Sequence, residues 1–168
     1  MNNSFNESIL ISKVNNMVKL IYNSITLNKL EDVIQFMSGD LYNKFKKNID
    51  DNTSNNCRVI YDEVNVNSEI KNITNMDEYI FIDVRCNVKF LRYYVSLSDG
   101  SYISGDRDNR IDRILNITLK RKSNVENINT FNCLGCGSSI NITNGYKCPN
   151  CGRVFDLDEY DFIIDKMG

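Results

Sequence analysis

From Asn6 to about Thr26, apolar residues recur every three or four positions. Leu10, Val14, Met17, Val18, Ile21 and Ile25 form one stripe at the helical period. Asn6 or Ser8 can cap this helix. A short second helix is predicted around Leu30, Val33, Ile34 and Met37, and Ser38-Gly39-Asp40 interrupts it. Asp40 is placed to cap a third helix carrying Leu41, Phe45 and Ile49. Residues 51–56 read as a polar loop. The amphipathic first helix could lie on a membrane or on a partner, but covering the domain's own sheet is the simpler use of its stripe.

From Cys57 the period changes to two. Cys57 to Ile70 is β-rich but patchy. Then Ile80, Ile82, Val84, Cys86, Val88 and Phe90 fall on one face of a strand, with Asp83, Arg85, Asn87 and Lys89 on the other. A strand of that length must bend or twist strongly. Ser98-Asp99-Gly100-Ser101 reads as a hairpin turn, and Tyr102 and Ile103 begin the return strand. Gly105 to Arg110 reads as a further turn, after which Leu115, Ile117 and Leu119 alternate in a last strand. Helices followed by antiparallel strands predict an α+β fold: N-terminal helices packed on a curved, cone-like sheet. A sheet wrapped around helices in this way can leave a conical cavity.

The domain plan follows. Residues 1–122 are expected to form the helical segment and cone-like α+β domain, 123–132 a polar linker, and 133–168 a small zinc ribbon. About 120 residues can bury a core unaided, whereas about 35 need a metal or disulfides.

The metal is suggested by cysteine spacing. Cys133-Leu134-Gly135-Cys136 and Cys148-Pro149-Asn150-Cys151 are two CxxC pairs separated by eleven residues, each running into a glycine. The chain has no histidine, so a four-ligand site must be all-thiolate. Cys133, Cys136, Cys148 and Cys151 therefore point to one structural Zn²⁺. Four protein ligands leave no position for a catalytic water. An iron centre and a pair of redox disulfides are the rival readings. Cys86, on the apolar strand face, is expected to be a buried and inert thiol.

Net charge is −2, which gives no overall pull toward nucleic acid or an anionic membrane. Within 133–168, Lys147, Arg153 and Lys166 face Asp156, Asp158, Glu159, Asp161 and Asp165. That balance argues against the alternative of a zinc-ribbon nucleic-acid-binding or transcription factor. No signal peptide or apolar run of about 18 residues is visible, and a four-thiolate site suits a reducing compartment, so a cytoplasmic protein is expected. There is no serine-centred elbow or glycine-rich phosphate loop. These motifs point to no catalytic constellation, so a non-enzymatic module is expected.

The segment from about Thr26 to Lys122 resembles the Tim-forty-four-like domain. This is the C-terminal domain of the mitochondrial inner-membrane import-motor scaffold, found also in bacterial proteins, within the cone-shaped nuclear-transport-factor-two-like superfamily. Asn28-Lys29-Leu30-Glu31-Asp32-Val33 and Met37-Ser38-Gly39-Asp40-Leu41-Tyr42 are similar to its short helix and its opening Ser-x-x-Leu helix. Arg92-Tyr93-Tyr94-Val95 and Ile117-Thr118-Leu119-Lys120-Arg121 are similar to its long and closing strands. Bacterial relatives often append a ribbon like Cys133 to Gly152 and a segment like Tyr160-Asp161-Phe162-Ile163. The chain departs from the pattern in lacking tryptophan and in carrying Arg92 where relatives often have Asp. The resemblance implies a non-enzymatic binding or scaffold domain with a protein partner, with peripheral membrane contact through that partner left open, and names no ligand.

Overall fold

The computed structural model describes residues 6–123, 130–133, 136–141, 148, 150–152 and 162–168. The first helix, α1, spans Glu7–Thr26, and the Asn6 side chain caps it by accepting from the Ile9 amide. Its predicted stripe is buried from Leu10 to Ile25 and packs across the first strand. A 3-10 helix, Leu30–Phe36, follows. The next helix, α2, spans Gly39–Ser54. Its cap is Ser38, not Asp40: the Ser38 hydroxyl accepts from the Leu41 amide at 3.3 Å. The helix also takes in residues 51–54, which had read as loop. Only Leu41 of α2 is buried, while Tyr42, Phe45 and Ile49 pack partly against the core.

Three long strands form the sheet: β1 (Cys57–Met76), β2 (Tyr79–Ser96) and β3 (Tyr102–Lys122). β1 is continuous where the sequence is patchy. It turns into β2 through Asp77-Glu78, with Asp77 in the left-handed region (φ 55°). The predicted face of β2 is buried from Ile82 through Phe90.

Gly105 to Arg110 is not a turn between strands: Gly105 and Asp106 pair with β2, and residues 107–110 form a bulge within β3. Arg92 lies opposite Asp106 and Phe90 opposite Ile111, so β3 places residues 107–110 where β2 has only Leu91. The Asp106 carboxylate holds the bulge by accepting from the amides of Asp108 (2.9 Å) and Asn109 (2.8 Å). Pairing with β2 then resumes. β1 carries its own bulge at the same level, between Asp62 and Asn65. Extra residues on both flanks of Phe90–Arg92 bend the sheet there, because a bulge raises local twist.

Two short strands, β4 (Thr130–Asn132) and β5 (Ser139–Asn141), pair antiparallel around the first CxxC. The last strand, β6 (Ile163–Met167), is the fourth strand of the main sheet, in the order β1-β2-β3-β6. The expected ribbon boundary of 133–168 thus includes a piece of the main sheet, and the ribbon hairpin begins before Cys133. Phe162, Ile163, Ile164 and Met167 are buried, and they join the core because four apolar side chains gain more there than in a small ribbon. No helix is long and apolar enough to cross a membrane among the described residues.

Candidate metal centre

The first cysteine and the glycine of each CxxCG segment are arranged alike. In each, the glycine amide donates to the carbonyl of the first cysteine: Gly137 to Cys133 at 2.8 Å, and Gly152 to Cys148 at 2.9 Å. Both glycines are left-handed, at φ 78° and 77°. A Cβ would meet nothing at either position, so the requirement is conformational rather than spatial. The Cys133 amide donates to the Ser138 carbonyl at 2.8 Å, closing the first knuckle onto β5.

These turns bring all four predicted sulfurs together, within 4.8 Å of one another. Across the knuckles, Cys133 Sγ is 3.7 Å from Cys151 Sγ, and Cys136 Sγ is 3.7 Å from Cys148 Sγ. A tetrahedron with metal–sulfur bonds of about 2.3 Å has edges of about 3.8 Å. A disulfide needs about 2.0 Å, and none of the four cysteines forms one. The cluster therefore has the dimensions of a closed four-thiolate metal site. In each knuckle the first cysteine is buried and the second exposed.

Polar neighbours favour the charged sulfur. The hydroxyl and then the amide of Ser138, followed by the Asn150 side-chain amide, bring the Cys136 thiol down to about 6. Asn150 Nδ2 lies 3.6 Å from Cys136 Sγ and donates to Ser138 Oγ at 2.8 Å. This second layer, Ser138 and Asn150, was not singled out by sequence reasoning. Position within the second CxxC was the available signal for Asn150.

Cys86 is fully buried as predicted, and burial pushes its thiol above the ordinary range. The Asp106 carboxylate is committed to the bulge amides. The sequence reading noted Arg92 only within the resemblance and did not single out Arg113; both reach a cleft of about 510 Å³ between α2 and the inner sheet face. No protein-family model matches this sequence, and no curated protein matches it significantly.

Proposed function

We propose that the chain is a non-catalytic binding or scaffold module braced by a structural zinc ion. The sulfur cluster carries this reading. Four thiolates at tetrahedral spacing complete the coordination of Zn²⁺, and Ser138 and Asn150 supply the neutral donors that stabilise a doubly charged tetrathiolate. Zinc held in this way contributes folding energy and offers no vacant position to a substrate. The element order supports the resemblance to the Tim-forty-four-like domain: two helices and a 3-10 turn precede one long bent antiparallel sheet. In this reading the bent sheet and its helices present the contact surface for a protein partner, and the ribbon orders the polypeptide between β3 and β6.

Elemental mass spectrometry on protein purified without a metal-binding tag tests the reading. One zinc per chain is the expected result, lost in Cys148→Ser together with hydrogen-exchange protection at residues 130–141. Iron in place of zinc, or full protection without metal, would overturn it.

A further inference from the structure

The inner face of the sheet is apolar along β2 from Ile82 to Phe90, and beyond the bend its chemistry changes. Arg92 and Tyr94 continue the inward-facing alternation on β2. Tyr61 stands across from Arg92 on β1. Arg113 takes an inward position on β3, two residues before Leu115 and four before the buried Ile117. All four side chains line one cleft with Lys44 and Asp51 of α2. Lys44, Arg92 and Arg113 bring three cationic side chains to the cleft, and Asp51 is its one carboxylate side chain, in a chain whose net charge is −2.

The chain does not saturate these cations. Arg92 Nη2 donates to the Tyr94 hydroxyl at 2.7 Å, and the guanidinium lies over the Tyr94 ring at 5.4 Å. Its Nε is buried and has no hydrogen-bond partner. Asp106 stands in register with Arg92 but commits its carboxylate to the bulge. Among the described residues, neither Arg92 nor Arg113 forms an ion pair. A buried donor left unmade costs free energy that a bound acceptor recovers, and guanidinium groups hold planar carboxylates through paired hydrogen bonds.

Aromatic and aliphatic side chains form one side of the cleft, and Asn48 and Asn52 of α2 add amides to its lining. Tyr22 and Tyr61 lie 4.6 Å apart, with Phe90 packed against both at 5.3 and 5.1 Å. Ile25, Val59 and Leu115 extend this side, and Phe45 and Ile49 face it from α2. A volume of about 510 Å³ is within the range of small-molecule sites. The opening lies where β1 and β3 both bulge, between the bent inner face and α2.

The geometry points to this cleft as a binding site for a small aromatic carboxylate, its acid group between Arg92 and Arg113 and its ring on Tyr22 and Tyr61. This site is separate from the sulfur cluster and does not depend on the zinc reading.

Titration of the whole ¹⁵N-labelled chain with 2-naphthoate tests it, with 2-naphthylmethanol as the neutral control and inorganic phosphate as the anion control. The expected result is a saturable shift of the cleft amides by naphthoate, with the alcohol at least about tenfold weaker. Arg92→Gln and Arg113→Gln should each weaken naphthoate at least about tenfold. Should Arg92→Gln fail to fold, Arg113→Gln on a different strand and the wild-type comparison of acid with alcohol still decide the matter. No saturable shift, equal affinity for the alcohol, tighter binding of phosphate than of naphthoate, or unchanged affinity in a folded arginine variant would each overturn the assignment.

Discussion

The hydroxyl of Ser38 donates to the backbone carbonyl of Asp165 at 2.8 Å, joining residues 127 apart in the chain. The same oxygen caps α2 by accepting from the Leu41 amide. The Ser38 amide also donates to the Ile164 carbonyl at 2.9 Å. One residue thus starts α2 and anchors β6. Replacing Ser38 by Ala removes the cap and leaves the Asp165 carbonyl short of a donor. A loss of about 2 kcal/mol is expected in urea unfolding, with Ser38→Thr recovering most of it.

Gly105 lies at φ +100°, directly against β2. A Cβ there would stand 2.5 Å from Tyr93 Cα and 2.7 Å from the Arg92 carbonyl oxygen. Both obstacles are backbone and cannot rotate away. Gly105→Ala should destabilise by about 2–4 kcal/mol, from left-handed strain and overpacking together. The unfolding midpoint checks this, and an unchanged midpoint would mean that the bulge relaxes freely.

The thiols should differ in reactivity. Cys86 is sealed by the sheet, and burial holds its proton on. Cys57 is half-buried at the start of β1. Alkylation at pH 8, read by mass spectrometry, should modify Cys57 and spare Cys86 in the folded chain. Chelation of the metal should then add the four cysteines of the knuckles to the modified set. Rapid modification of Cys86 would show that the sheet opens there.

Lys13 gives a pH dependence. Burial, with the Arg121 charge adding to it, lowers its ammonium pKa from 10.5 to about 8. Between these values the unfolded chain binds the extra proton, so this group makes stability rise with pH from about 8 to 10.5. Lys13→Met abolishes that rise. Subtracting its unfolding free energies from wild type at pH 7.5 and 10 isolates this residue from the tyrosines and cysteines that also titrate there. A flat difference would contradict the placement of Lys13.

Much of this was legible from local pattern. α1 carries a complete apolar stripe, β2 alternates over six positions, and paired CxxCG spacing identifies its own sulfur cluster. The misread features depend on distant partners. Ser38 and Asp40 are equally good cap residues by type, and the carbonyl of Asp165 accompanies the choice of Ser38. Residues 105–110 have turn chemistry either way, and only the resumption of pairing at Ile111 makes them a bulge. β6 is five residues long and pairs with a strand that ends some forty residues earlier. Arg92 and Arg113 look like ordinary strand charges until the register places them on the inner face.

The position of the sulfur cluster sets how far its loss can propagate. Residues 123–162 connect β3 to β6, and the cluster pinches off the stretch from Cys133 to Cys151 inside that connection. Shortening a connection of 40 residues to roughly half changes its closure entropy by only about 0.5 kcal/mol, because the cost grows with the logarithm of length. β6 is held instead by Ser38, by pairing with β3 and by its own buried side chains. Opening the metal site should therefore unravel a local excursion of the polypeptide while the strand beyond it stays docked, making the ribbon a detachable order–disorder element on a body that keeps its shape.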